Sequence, residues 1–198
     1  MAVASPYFQV PSAKWVAVTE KLIKEHPLDE DEIVEIVLES WRSIFTSAIG
    51  THGFKIGQEI FPKPQVMGAL LHELIPLEVA ARYPKHWRGE KSAADKDIVY
   101  IPDDKFSIEL KTSSHREQIF GNRSYAQEAV VDKKGKSGYY LAVNFEKFSE
   151  RKDPDIVLIR FGWLDHADWV GQKAATGQQS RLGAEVYTGK FKTLYRER

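Results

Sequence analysis

Residues 97–111 read DIVYIPDDKFSIELK and constrain the fold more than any other stretch of the chain. Two short runs rich in β-branched and aromatic residues flank the turn-forming sequence Pro-Asp-Asp-Lys, which is typical of a β-hairpin. Side chains alternate across a strand, so Glu109 and Lys111 share one face while Ile108 and Leu110 share the other. The second strand is therefore apolar on one face and charged on the other.

The position of Asp97 relative to these charged residues depends on the register of the hairpin. Directly opposed residues of antiparallel strands point to the same side, so Asp97 joins Glu109 and Lys111 only if paired residue numbers sum to an even value. In a two-residue turn at Asp103-Asp104 the paired residue numbers sum to an odd value, which would turn Asp97 to the opposite face. A three-residue connection such as Asp103-Asp104-Lys105 gives an even sum and sets Asp97 opposite Lys111. We therefore expect an odd-length connection or a bulge.

Two neighbouring carboxylates with a lysine beside them are the residue types of a metal-dependent site. A hard cation relieves the repulsion between the acids, and Mg²⁺ is commonly held by one or two carboxylates, waters and a substrate phosphate. Asp97, Glu109 and the backbone carbonyl of Leu110 are the candidate ligands, and Lys111 is the candidate for orienting or deprotonating an attacking water. Asp95 shares the parity of Asp97 and is the alternative acid. The competing interpretation is an ordinary polar strand end.

The N-terminal third of the chain predicts three helices from its apolar spacing. Ser12 can cap the first helix, the second begins at Asp29, and the third runs from Pro64 to about Arg82. Glu73 is the one acid close to the apolar stripe of the third helix. If that helix packs beside the hairpin, Glu73 becomes a third carboxylate ligand; otherwise it is a surface glutamate.

The distribution of charge indicates which half of the chain would meet a polyanion. Formal net charge is +0, but residues 1–104 carry 11 Lys and Arg against 16 Asp and Glu, whereas residues 105–198 carry 17 against 12. The halves therefore differ as −5 and +5, and DNA would contact the second. Ordinary charge scatter in a folded domain is the competing interpretation.

Composition excludes several other kinds of site. The chain has no cysteine, which rules out disulfides, thiolate zinc sites and cysteine nucleophiles. No HExxH spacing and no glycine-rich nucleotide loop occurs. No apolar run is long enough to span a membrane, and the N-terminus lacks a leader pattern, so we expect a cytoplasmic protein.

Two polar segments after the hairpin are candidates for DNA contact. Residues 121–124 can approach a phosphate closely, and residues 170–183, VGQKAATGQQSRLG, offer amides and forked donors of the kind that read base edges. The competing interpretation of both is a surface loop. The candidate residues are Asn122, Arg123, Ser124, Gln127, Lys173, Gln178, Gln179, Ser180 and Arg181.

Two further strands, 139–145 and 156–163, would complete a mixed central β-sheet that contains the hairpin and is flanked by helices. The fold class is therefore α/β. A single domain accommodates the whole chain of 198 residues, with a mainly helical part (1–90), a sheet core (91–165) and a recognition segment (166–198).

At this point the residues resemble a known family. Asp97 followed by Glu109-Leu110-Lys111 resembles the PD-(D/E)XK nuclease core. The continuations KTSS, IFGNRSYAQ, GWLDHADW and GQKAATGQQS, together with SPYFQVPS and FPKPQ…LLHELIP, are similar to type II restriction endonucleases of the ScaI type. One departure is Lys96, which stands where the core motif has proline.

The resemblance implies a restriction-endonuclease-like α+β fold and a homodimer that cuts both strands of a short palindromic duplex with Mg²⁺. It implies that Asp97 and Glu109 bind the metal, that Lys111 is catalytic, and that the products carry a 5′-phosphate and a 3′-hydroxyl. A cognate DNA methyltransferase is the expected partner. The alternatives are a structure-selective or repair nuclease of the same superfamily and a catalytically inactive DNA-binding module.

Overall fold

The structure is a computed structural model that describes residues 5–126, 135–173 and 177–197. Its α-helices are α1 (Trp15–Lys24), α2 (Glu30–Thr46), α3 (Pro64–Arg82) and the short α4 (Ala184–Gly189). None of the helices in these described ranges is long and apolar enough to cross a membrane.

The three predicted N-terminal helices are all present. Asp29 precedes α2, and its carboxylate accepts the backbone N–H of Asp31 at 2.9 Å, as an N-cap does. Helix α3 has the predicted bounds, with proline in its first turn. The predicted cap of the first helix is wrong: Ser12 lies in a 3-10 turn (Ser12–Lys14), and α1 begins only after that turn.

Six strands of the described residues form a mixed central sheet. They are β1 (Trp87–Gly89), β2 (Ile98–Tyr100), β3 (Ile108–Ser113), β5 (Gly138–Phe145), β6 (Ile156–Leu164) and β9 (Phe191–Arg196). Their order in the sheet is β1-β2-β3-β5-β6-β9. Strand β3 pairs with β5 in parallel, and all other neighbours are antiparallel. The predicted hairpin is β2–β3, and the two predicted later strands are β5 and β6.

A second sheet of three short strands was not predicted. It consists of β4 (Phe120–Asn122), β8 (Gln179–Leu182) and β7 (Trp169–Gly171), with β8 in the middle and antiparallel to both neighbours. We refer to it as the recognition sheet, because it contains part of both polar segments. The described part of residues 166–198 thus contains a 3-10 turn, two strands of this sheet, α4 and the last strand of the central sheet.

The two faces of the central sheet are covered differently. On one face, Ile108 and Leu110 pack with buried residues of α1, α2 and α3. On the other face, Tyr140 and Ala142 pack with buried residues of the recognition sheet and α4, among them Trp169 of β7. Because side chains alternate along β3, Glu109 and Lys111 face the recognition sheet.

A buried lysine fixes the N-terminal segment to the end of the central sheet. The ammonium of Lys190 donates to Asp165 at 3.0 Å and to Asp168 at 2.7 Å. It also lies 4.4 Å from the ring centre of Tyr7 and 4.7 Å from that of Trp15. We refer to Lys190, Asp165 and Asp168 as the Lys190 cluster.

Candidate active site

The hairpin places Asp97, Glu109 and Lys111 on the same side of the central sheet. Ile98 pairs with Ile108, so paired numbers sum to an even value and the expected parity is found. The exact register was wrong: Asp97 comes opposite Glu109 rather than Lys111. The reason is a longer connection than expected, which spans residues 101–107 and contains a 3-10 turn.

Asp97 lies directly before β2 and is fixed by the backbone of β3. Its Oδ2 accepts the N–H of Leu110 at 2.6 Å, so the carboxylate takes the place of a strand acceptor. The N–H and C=O of one strand residue point toward the same neighbouring strand. The Leu110 carbonyl is therefore directed to the side on which Asp97 lies.

Asp95, the alternative acid, belongs to a different structural unit. Its carboxylate accepts hydrogen bonds from the Arg88 guanidinium at 2.7 Å and from the backbone N–H of Lys91 at 2.8 Å. The bond from Arg88 and those from the backbone lower the pKa of Asp95 to about 2. Asp95 thus stabilises the turn before β2, whereas the carboxylate of Asp97 contacts β3.

Glu109 and Lys111 form a nearly buried ion pair. The ammonium of Lys111 donates to Oε1 of Glu109 at 2.7 Å and to the carbonyl oxygen of Leu110 at 3.0 Å. The Glu109 side chain is 2% exposed and that of Lys111 is 12% exposed. Electrostatic interactions are strong at this depth because little water screens them.

Two tyrosines complete the surroundings of Glu109. The hydroxyl of Tyr125, from a 3-10 turn (Arg123–Ala126) after β4, donates to the same Oε1. Burial first, and then the nearby charge of Glu109, raise the pKa of Tyr125. The same two causes raise the pKa of Tyr140, which pairs with Glu109 across β3 and β5. Both phenols therefore stay neutral donors at physiological pH.

The oxygen atoms around Lys111 suit a hard divalent cation. The Glu109 carboxylate and the Leu110 carbonyl both bond one ammonium, so they converge on a single positive centre, and Asp97 is fixed alongside. Two carboxylates and a carbonyl match the oxygen ligands that Mg²⁺ prefers. The residues present therefore fit a magnesium ion.

Glu73 does not join this group of oxygens. It is exposed on α3, and the described part of the chain contains no cluster of three or more His, Asp or Glu side chains suited to a metal ion. The buried face of α3 meets β3 through residues such as Gly68, which lies against Thr112. The packed helix thus turns Glu73 away from the pair formed by Asp97 and Glu109.

The recognition sheet has an exposed outer face that carries several predicted DNA contacts. Asn122 pairs with Gln179, and Arg181 follows on the same side of β8. All three are exposed. Ser180 alternates with them, and its side chain is buried with its hydroxyl donating to the carbonyl of Asn122 at 2.9 Å. The prediction that Ser180 contacts DNA is therefore wrong, because it holds β8 to β4.

The remaining predicted DNA-contacting residues lie beside this face. Arg123 is half-buried, and its guanidinium donates to the carbonyl of Gly177 at 3.2 Å. Exposed positions are occupied by Ser124, Lys173 and Gln178. Gln127 lies outside the described residues.

Tyr125 is the residue of the site that sequence reasoning missed. It lies within the polar stretch GNRSYAQ, and nothing in its local pattern indicates a partner 16 positions away along the chain. The only signal was an aromatic residue in an otherwise polar segment, which indicates a buried anchor.

Comparison with known proteins gives matches that cover almost the whole chain. The model of the ScaI restriction endonuclease family matches residues 5–195. The type II restriction enzyme ScaI of Streptomyces caespitosus is 56% identical over 185 residues, which are 92% of this chain and 81% of the relative. No solved structure matches the chain. The family match therefore includes both the hairpin and the recognition sheet.

Proposed function

The chain belongs to the ScaI restriction endonuclease family, and on that premise we propose that it is a Mg²⁺-dependent, site-specific deoxyribonuclease of type II. Its substrate is double-stranded DNA with a short palindromic site, and its products carry a 5′-phosphate and a 3′-hydroxyl. The observation that carries the assignment of the site is the convergence of Asp97, Glu109, the Leu110 carbonyl and Lys111 beside the recognition sheet.

Each residue of the site has a definite task in phosphodiester hydrolysis. Asp97, Glu109 and the Leu110 carbonyl would hold the metal ion. Bound there, Mg²⁺ supplies stabilisation of the negative charge that develops on the phosphoryl group. Lys111 orients the attacking water through its ammonium, and the water attacks phosphorus in line with the bond to the 3′ oxygen. That bond breaks, the oxygen of the water stays on the 5′-phosphate and releases its proton to solvent, and the 3′ oxygen takes a proton from solvent and leaves as a hydroxyl.

The small size of the chain suits a two-fold symmetric homodimer. A palindrome read by two identical subunits requires each subunit to read only half of the site. The outer face of the recognition sheet, with Asn122, Gln179 and Arg181, supplies amide and guanidinium groups for one half-site. A methyltransferase that modifies the same sequence would protect the host DNA.

Digestion of a plasmid of mixed sequence tests the proposed function. With Mg²⁺ the purified protein should give discrete fragments, and sequencing of their ends should reveal one palindrome and 5′-phosphates. Lys111→Ala should lower the cleavage rate by about 10²–10³-fold, the range expected when one preorganised hydrogen-bond donor at the reacting group is lost. Lys105→Ala is the matched control, because Lys105 lies in the same hairpin but is exposed and paired with Asp103 at 2.8 Å.

Three outcomes would contradict the proposal in different ways. Undiminished cleavage by Lys111→Ala would refute the assignment of the catalytic lysine. Cleavage only of branched or mismatched DNA would identify a structure-selective nuclease instead. Sequence-specific binding without cleavage of any duplex would identify an inactive DNA-binding module.

A further inference from the structure

Tyr125 occupies the junction between the recognition sheet and the active site. Its ring packs at 5.2 Å from the ring of Trp169 in β7. A Cβ atom added to Gly121 in β4 would lie 3.0 Å from Cγ of Tyr125, so the ring is in close contact with that strand. The side chain is 7% exposed. Any shift of β4 or β7 must therefore move this ring.

The polar end of the same side chain reaches the central sheet. The hydroxyl donates to Oε1 of Glu109, the oxygen that also accepts from Lys111. The ammonium of Lys111 lies 4.7 Å from the centre of the Tyr125 ring, and that of Lys136 lies 4.2 Å from it. One tyrosine thus orients both the carboxylate and the ammonium of the pair.

We propose that Tyr125 is a positioning residue that couples DNA binding on the recognition sheet to metal binding at Glu109. Asn122 lies on the exposed face of this sheet, and Tyr125 follows it in the adjoining 3-10 turn. The hydroxyl of Tyr125 donates a hydrogen bond to Glu109, and this bond connects the turn to the proposed metal ligand. This inference rests on the proposed function.

The affinities of the DNA site and the metal site are linked because both sites contact the same structural element, the turn that carries Tyr125. If bound DNA fixes β4 and the turn after it, the Tyr125 hydroxyl is fixed as well, and so is the orientation of Glu109. Hydrogen bonds to a carboxylate ligand set its orientation and affect metal affinity by about 10–100-fold. The coupling must be reciprocal, so the metal ion strengthens DNA binding by the same factor.

The test measures Ca²⁺ affinity of the full chain with and without the duplex that the digest identifies. Ca²⁺ is a suitable probe because it takes oxygen ligands, and gel analysis checks that the duplex stays intact. In the wild-type protein the duplex should raise Ca²⁺ affinity by a factor in the range of about 5–150. In Tyr125→Phe this ratio should fall toward one, because the hydroxyl alone is removed and the ring remains.

Tyr187→Phe is the matched control. The Tyr187 hydroxyl bonds the backbone of Ile119 in the same cluster of side chains and does not contact Glu109. Tyr187→Phe should leave the ratio of Ca²⁺ affinities with and without the duplex at the wild-type value. Both variants lose one hydroxyl, so they should have similar thermal stability.

An unchanged ratio in Tyr125→Phe would overturn the coupling, and so would an equal loss of the ratio in Tyr187→Phe. A wild-type ratio of one would overturn it as well. None of these results affects the proposed function, which fails separately if the wild-type protein with Mg²⁺ cuts no duplex.

Discussion

Lys111 and Lys190 are both bound to carboxylates inside the protein, but their surroundings differ. The ammonium of Lys190 donates to Asp165 and Asp168 and lies over two aromatic rings, with its side chain 3% exposed. The ammonium of Lys111 donates to Glu109 and a backbone carbonyl, with its side chain 12% exposed. One lysine is enclosed by two fixed acids, and the other shares its acceptors with a proposed metal ion.

This difference is the one expected between a structural ion cluster and the proposed active site. The acids of the Lys190 cluster are themselves fixed, because Asp168 also accepts the backbone N–H of Asp165 at 2.7 Å. A fully bonded buried cluster rigidifies the fold and has no donor to offer a substrate. The acceptors of Lys111 are the oxygens predicted to bind metal, so its bonds can be exchanged during a reaction. The kind of partner distinguishes the two lysines: Lys190 is enclosed by two acids, whereas Lys111 contacts one acid and a backbone carbonyl.

Removal of Lys190 should produce the largest loss of stability. Lys190→Met leaves two acids without their buried cation, so the free energy of unfolding should fall by about 3–5 kcal/mol. Under conditions in which the variant is folded, DNA cleavage should remain within about tenfold of wild type, since stability rather than transition-state binding is affected. Urea unfolding and plasmid cleavage measure the two effects.

Lys192→Met is the control for this prediction. Lys192 also contacts two acids, Glu20 at 3.0 Å and Glu30 at 2.8 Å, but its side chain is 31% exposed. An ion pair that water can reach and screen in this way contributes about 0–1 kcal/mol. Equal losses of stability in the two variants would show that enclosure of Lys190 has no special effect and would remove the basis of the comparison.

His26 shows a third way to accommodate a buried base, which is to keep it neutral. Its Nδ1 accepts the backbone N–H of Leu28 at 3.1 Å, and its Nε2 lies 3.1 Å from the carbonyl of Phe106, to which it donates. Burial lowers the pKa of His26 to about 4. Between pH 6.5 and about 4 the unfolded chain therefore binds a proton at His26 that the folded protein does not bind.

Acidification through that window should destabilise the protein. The free energy of unfolding should fall by about 3 kcal/mol between pH 6.5 and 4 through His26, following the linkage between protonation and folding. His26→Gln should remove this part of the pH dependence, as measured by urea unfolding at a series of pH values. His52→Gln, at an exposed position, should keep it. The same pH dependence in His26→Gln as in wild type would contradict the assignment.

The helices and long strands could be predicted because their signals are local. Asp29 and Pro64 mark helix starts through capping and a fixed backbone angle, and both helices begin where these residues predict. Alternation along β3 was enough to put Glu109 and Lys111 on one face. The parity of the hairpin could be predicted only on the assumption that Asp97 joins Glu109 and Lys111, and its exact register depends on a 3-10 turn with no clear sequence signal.

The recognition sheet could not be predicted, because tertiary pairing rather than propensity forms it. Its strands have three or four residues and include Gly121, Gly171 and several polar side chains. Such residues have low β propensity, so the sequence predicts a loop there. The alternating burial of Gln179–Leu182 was the available sign. The contact between Tyr125 and Glu109 depends on this sheet and was equally hidden.

Arg160 of the central sheet and Arg181 of the recognition sheet differ in the same way as the two lysines. Arg160 is 5% exposed, donates to Asn144 at 3.0 Å and to the carbonyl of Glu117 at 2.6 Å, and packs on the ring of Tyr187. Burial lowers its pKa to about 10. Arg181 is exposed on the outer face of β8. By the same reasoning, Arg160 stabilises the fold, whereas the exposed Arg181 is a proposed DNA contact.

The smallest effect should come from Arg181→Ala. If this guanidinium reads a base edge, discrimination between the cognate duplex and a duplex with one substituted base pair should fall by about 1–3 kcal/mol at one position. Binding measured at several salt concentrations separates this role from a phosphate contact, which would weaken all sequences alike and reduce the salt slope by about one. Arg196→Ala is the control, because Arg196 is exposed on the central sheet and paired with Glu117 at 3.0 Å. A uniform loss of affinity in Arg181→Ala, with discrimination intact, would assign Arg181 to the DNA backbone and leave base reading to Asn122 and Gln179.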